Sequence, residues 1–135
     1  MQRTIRGTFE VTLLPQQATT DLEREAAIGR STINKTFSGS LKATSVGQML
    51  AFRTEVPGSA GYVAMERVSG ELEGRSGSFV LQHSGTMNRG ERALQLGVVP
   101  DSAGGQLNGL RGTMDIEITD GKHFYSFQYE LPEQD

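Results

Sequence analysis

A chain of 135 residues with 36% hydrophobic content has room for one core and not for two independent domains, so a single domain over residues 1–135 is expected. The formal net charge is −3, with acids and bases interspersed, which gives no electrostatic footprint for nucleic acid or an anionic membrane. The absence of cysteine excludes a disulfide framework, a thiolate zinc site and a cysteine nucleophile. The start, MQRTIRGTFEV, lacks the apolar stretch of a secretory signal and no run is long enough to span a bilayer, so a soluble cytoplasmic protein is expected.

Seventeen glycines against four prolines punctuate short segments rich in Val, Ile, Thr, Phe and Tyr, the mark of many short strands. In chain order the strands are expected at Thr4–Leu13, Ile28–Phe37, Gln48–Val56, Tyr62–Leu72, Gly77–Met87, Ala93–Val99, Leu110–Thr119 and Lys122–Leu131. Between the first two, DLEREAA (21–27) has helical character but is too short to stand alone, and it is expected as loop with about one helical turn.

Asp120-Gly121 suits a type I′ hairpin, and EGRSG and NRG read as tight turns. Eight strands joined this way form a meander that most economically closes on itself and so loses its exposed edges. The expected architecture is therefore all-β, an eight-stranded antiparallel up-and-down barrel, with a two-layer sandwich as the competitor.

Alternation assigns the faces. With Asp120-Gly121 as the turn, Ile118 lies across from His123, Ile116 from Tyr125 and Met114 from Phe127, all inward, while Asp115, Glu117, Ser126 and Gln128 face solvent. Ile5, Phe9, Val11 and Leu13 form the inward face of the first strand. In the fourth strand Val63 and Met65 oppose Tyr62, Ala64 and Val68, so both faces are apolar and the outer one is expected to be covered in a homo-oligomer.

The blocks TFEV (8–11), SAGYVAMERVSG (59–70), GRSGSFVLQHSGTM (74–87), VVPDSAGGQLNGLRG (98–112) and DGKHFYSFQYEL (120–131) resemble a family of small bacterial proteins of unknown function, grouped with the allene oxide cyclase-like barrels. The resemblance spans nearly the whole chain. It implies a closed antiparallel barrel of about eight strands, wide enough for one small ligand. It supplies no catalytic set, and no cyclase residue maps onto this sequence.

In an up-and-down barrel the loops after the third, fifth and seventh strands share one mouth. This places Tyr62, His83 and His123 near that mouth, with Glu66 deeper on the Tyr62 face. A carboxylate facing an apolar lumen loses hydration, which is expected to raise its pKa and make Glu66 a general acid or base near neutral pH, with His83 or Tyr62 as partner. The opposing interpretation pairs Glu66 with an Arg or Lys on a neighbouring strand, or turns it outward beside a subunit contact. His83 alternates with Phe79 and Leu81, but a three-residue turn at Asn88–Gly90 would put Gln82 inward in its place. Tyr125 and His123 are candidate ligand contacts, His123 more readily as a solvated rim residue.

Lys35 alternates with Ile33 and Phe37 and is a candidate lumen cation for a carboxylate or an anionic ligand, although its head is expected to reach water more often than not. Arg53, alternating with Met49 and Ala51, is equally ambiguous. Two histidines without a local pair make a metal site improbable, and neither metal nor other cofactor is expected. VPGSAG (56–61) and VPDSAG (99–104) echo each other, but the topology sends them to opposite ends. Two functions remain: binding of a hydrophobic small molecule in the lumen, or a cofactor-independent isomerase or cyclase in which Glu66 and His83 move a proton. In a third, the lumen is fully packed and the protein acts through subunit contacts only.

Overall fold

A computed structural model describes residues 2–132. Its eight long strands are β1 (Gln2–Gln16), β2 (Gly29–Gly39), β3 (Leu41–Arg53), β4 (Ala60–Leu72), β5 (Arg75–Asn88), β6 (Glu91–Val98), β8 (Arg111–Thr119) and β9 (Lys122–Glu130), with a two-residue β7 (Gly104–Gly105) on the edge of β5. Every pairing is antiparallel, and β4 pairs with both β3 and β5, so the sheet closes into a barrel and the sandwich is excluded. The weakest seam lies between β6 and β8, whose ladder rests on the pair Gly97 and Thr113.

The expected strands are present, with one large difference. β3 begins at Leu41, seven residues earlier than its apolar run suggests. LKATSVG alternates Leu41, Ala43 and Ser45 inward against Lys42, Thr44 and Val46 outward, so a small polar residue stands in the core face where sequence patterning looks for a large apolar one. α1 (Asp21–Ala26) also forms a defined helix. Thr20 caps it by accepting from the Glu23 N–H, and the Glu23 carboxylate accepts from the Thr20 N–H, a reciprocal capping box that stabilises six residues otherwise too few to hold together.

Three hairpins turn on a residue followed by glycine, Glu73-Gly74, Arg89-Gly90 and Asp120-Gly121, each with both φ values positive as a type I′ turn requires. The Arg89-Gly90 turn is two residues long, since Asn88 pairs with Glu91. That settles the face of β5: His83 pairs with Leu96 and points inward, and Gln82 is exposed. The pairs expected across β8 and β9 all form.

The two ends of the barrel differ. At one end the connection from β6 to β8 (99–110) folds back, burying Leu107 and Leu110 against Leu41, Leu72, Phe79, Phe127 and Tyr129. Phe79 stacks on Phe127 at 5.9 Å and Phe127 on Tyr129 at 5.4 Å. At the other end, the loop 54–59 and the turns at 89–90 and 120–121 surround an open mouth, as the alternating topology anticipates. On the outside Leu50 and Val63 form a cross-strand pair with Met65 beside them, each about half exposed. No helix among the described residues is long and apolar enough to cross a membrane.

Candidate functional site

Halfway along the lumen three strands bring charge together. Glu66 on β4, His83 on β5 and Lys35 on β2 are all buried, with Glu66 1% exposed. Glu66 Oε2 lies 2.9 Å from Lys35 Nζ and 2.8 Å from His83 Nε2. The first is an ion pair and the second is one only when the imidazole carries a proton; neither has the directionality of a good hydrogen bond, and Glu66 Oε1 and the buried Ser45 hydroxyl have no hydrogen-bond partner among the described residues. Lys35 Nζ also sits 5.0 Å from the centre of the Phe9 ring and 5.9 Å from that of Phe37, so two aromatic faces replace part of its lost hydration.

Lys35 reaches Glu66 across an intervening strand because β3 is thin there. Gly47 pairs with Glu66, and a Cβ at Gly47 would stand 2.7 Å from the Glu66 Cβ, closer than two such carbons approach. A second close approach lies nearer the mouth. Tyr62 pairs with Gly85, where a Cβ would fall 2.5 Å from the Tyr62 ring, so the absent side chain is the space in which the ring lies. From there the Tyr62 hydroxyl is 3.5 Å from His83 Nδ1, at the limit of hydrogen-bond reach.

The order from mouth to interior is therefore Tyr62, His83, Glu66, Lys35. With Glu66 ionised, the hydrogen of a neutral His83 belongs on Nε2, facing the carboxylate, which leaves the Nδ1 lone pair turned toward the Tyr62 O–H. Burial pushes the Tyr62 phenol pKa up, and the negative charge of Glu66 pushes it further, against a smaller opposite effect of Arg92. The phenol thus keeps its proton at neutral pH.

For Glu66 the expectation of a raised pKa is overturned. Burial does act upward and is the largest influence, but the contacts with His83 and Lys35 together outweigh it and hold the carboxyl below its ordinary range. Glu66 is an ionised, paired carboxylate. The Lys35 head, expected in water, is also found inside, as the carboxylate's partner.

Above Tyr62 the mouth opens into a pocket of about 420 Å³. Met49, Ala51, Met87, Leu94 and Ile118 provide apolar lining beside Tyr62, while Arg53 and Arg92 also belong to the lining and are exposed toward solvent. One wall is fixed by backbone: the Arg89 N–H donates to Ser59 Oγ at 3.0 Å and the Gly90 N–H to the Gly58 carbonyl at 3.0 Å.

Two expected site residues stand elsewhere. His123 packs against Phe9 at 5.1 Å between ring centres and lines a separate groove with Thr8, Glu10 and Lys122. Tyr125 is buried, its hydroxyl donating to the Ser38 carbonyl at 3.0 Å and accepting from the Leu41 N–H at 3.2 Å, which ties down the turn between β2 and β3. Of the four groups expected to converge, Tyr62, His83 and Glu66 do so and His123 does not. Sequence patterning missed Arg92, Ser45 and the two glycines. A Gly facing Glu66 and a Gly facing Tyr62 carry a signal only once the register is known. No group of three or more His, Cys, Asp or Glu side chains able to hold a metal stands together among the described residues.

Comparison with known proteins agrees with this fold. Residues 5–129 match the family described as "Protein of unknown function (DUF3224)". The crystal structure at 1.84 Å of a protein of unknown function from the same family, from Shewanella oneidensis MR-1, superposes with a TM-score of 0.91. It is 46% identical, over 99% of this chain and 100% of that one. No curated protein matches in sequence. Neither match names an allene oxide cyclase. A match over nearly the whole chain, with the same barrel in a relative close to half identical, means that the chain belongs to the DUF3224 family of proteins of unknown function.

Proposed function

We propose that the barrel binds a small, largely apolar molecule in the mouth pocket. The observation that carries this is the pocket itself, about 420 Å³ of space lined by Met49, Ala51, Met87, Leu94 and Ile118 together with Tyr62, Arg53 and Arg92. A mostly apolar wall with a few well-placed polar groups is the usual make-up of a small-molecule site, in which apolar area supplies affinity and the polar groups set orientation. The lumen below is occupied by side chains, so the ligand sits at the mouth rather than along the barrel axis. In the same proposal a second copy of the chain covers the outer apolar face at Leu50, Val63 and Met65.

Titration with 1-aminoanthracene, a neutral apolar fluorophore, tests the pocket. Saturable one-to-one binding is expected in the natural protein, with at least about a tenfold loss in Ala51→Phe, whose ring would fill the space. Circular dichroism of the variant would confirm an unchanged strand content. No saturable binding, or equal binding by a folded Ala51→Phe, would contradict the proposal.

A second reading, proton transfer, is supported by the line Tyr62–His83–Glu66. A ligand proton would pass to the Tyr62 oxygen as the phenol proton passes to His83 Nδ1, and the imidazolium so formed would lie against the Glu66 carboxylate. Lys35 weakens this scheme, because it already neutralises the carboxylate that would stabilise that imidazolium. Binding therefore takes precedence. Base-promoted ring opening of 5-nitrobenzisoxazole separates the two: catalysis lost in both Glu66→Gln and Tyr62→Phe favours proton transfer, and its absence in the natural protein leaves binding alone.

A further inference from the structure

We infer that the ligand of the mouth pocket is an amphipathic anion, an apolar body carrying one carboxylate-like head, and that Arg53 and Arg92 are the residues that select it. This deepens the binding proposal above and rests on it.

The inference comes from where charge lies around the pocket. Its lining contains two arginines and no aspartate or glutamate, in a chain whose net charge is −3. Arg53 ends β3 on the face of Met49 and Ala51, and Arg92 stands on β6 on the face of Leu94 and Leu96, so alternation directs both toward the mouth. Arg92 also lies close enough to Tyr62 for its charge to act on the phenol. Glu91, the acid next to Arg92, falls on the opposite face by the same alternation. Neither arginine forms a salt bridge among the described residues, whereas Arg3 and Arg24 each hold a carboxylate.

The two guanidiniums therefore offer free donor forks at the rim of an apolar cup. A guanidinium fork matches a planar carboxylate, and two of them with no acid among the pocket residues favour an anion over a neutral or cationic group at the same place. Below the level of Arg53 and Arg92, Met49, Ala51 and Leu94 present nothing that would hydrate a charge, so the head belongs at the rim and the apolar body beneath it, beside Tyr62. A neutral apolar molecule would use the walls and leave both arginines idle. A small inorganic anion would use the arginines and leave the walls idle.

Displacement of bound 1-aminoanthracene by decanoate and by decanol, two ten-carbon chains that differ in their heads, tests the inference. In the natural protein decanoate is expected to compete at least about tenfold more strongly than decanol, with the advantage shrinking as salt is raised from about 0.05 to 0.5 M. In Arg53→Gln/Arg92→Gln the two competitors should become equal to within about threefold, the advantage of decanoate over decanol being lost. Equal competition in the natural protein, or a carboxylate preference that survives in the double variant, would overturn the inference while leaving the pocket intact. Failure of 1-aminoanthracene to bind at all would instead remove the pocket, so the two failures are distinguishable.

Discussion

The two halves of this lumen are built from the same strands to opposite rules. Toward the closed end, Phe79, Phe127, Tyr129, Leu41 and Leu72 interdigitate, and the connection 99–110 lays Leu107 and Leu110 over them. Polar groups there are satisfied at the edge: the Tyr129 hydroxyl donates to the Glu73 carboxylate, which also holds Arg3, and the phenol pKa is pushed up to about 12 by burial and by that carboxylate. Toward the mouth the same inward positions carry Lys35, Ser45, Glu66, His83 and Tyr62, three of them ionisable and deeply buried, with a carboxylate oxygen and a hydroxyl left without hydrogen-bond partners among the described residues. The difference teaches where stability and function separate. Dense apolar packing contributes free energy directly, whereas a buried ion pair roughly breaks even against the desolvation it requires. A chain selected for stability alone would have continued the packed half upward.

The comparison breaks most visibly at the closed end. Phe127→Ala removes a fully buried ring in contact with two others, and is expected to lower the unfolding free energy by about 3–5 kcal/mol in a urea or guanidinium titration. 1-Aminoanthracene binding by the protein that remains folded should stay within about threefold, because the cavity so made is walled off from the mouth.

The charged cluster should respond in a way no apolar core does. Lys35→Met leaves Glu66 as a buried charge without its cation and is expected to cost about 3–5 kcal/mol. Adding Glu66→Leu and His83→Leu to the same chain is expected to recover most of that loss or exceed it, since a buried network exchanged as a whole for apolar side chains is commonly neutral or stabilising. Denaturant titrations of the single and triple variants check both. Further loss of stability in the triple variant would mean that the cluster is a structural keystone, contrary to the contrast drawn here.

A smaller effect appears with pH. The folded-state pKa of Glu66 is depressed below its ordinary 4.5, so its ionised form contributes stability that is fully present above that value and is lost as pH falls through the folded value. The difference in unfolding free energy between the natural protein and Glu66→Gln should therefore shrink as the pH falls below about 4.5. A difference that grew on acidification would contradict the assignment. The smallest expected change is that of Tyr62→Phe, which loses one long hydrogen bond and should alter stability by about 1 kcal/mol or less.

Much of this could be read from the chain before any coordinates. The I′ turns at Asp120-Gly121 and its counterparts, and the alternation along β8 and β9, carry the barrel and its register almost unaided, because a period of two and a left-handed Gly are local signals. Chain order put Tyr62, His83 and Glu66 near one mouth but left open which face His83 and Glu66 occupy, and only the two-residue turn at Arg89-Gly90 fixes the register of β5. What the sequence hid is long-range. Burial alone argues for a raised Glu66 pKa, and only the distance to Lys35, reached over Gly47, reverses the sign. The first half of β3 reads as loop because LKATSVG lacks large apolar residues, yet its small inward side chains, Ser45 and Gly47, are what leave room for the ion pair. His123 and Tyr125 look like mouth residues by position, but pair with Phe9 and with the backbone at Ser38 and Leu41, partners no local pattern reveals.

The division of the lumen is tested most directly by a crystal structure of the protein grown with 1-aminoanthracene. The expected result is one molecule in the mouth pocket, its ring edge over Tyr62 and between Met49 and Leu94, with the packed half below unchanged. A probe found only on the outer sheet surface, or a mouth closed over by its own side chains, would contradict the account.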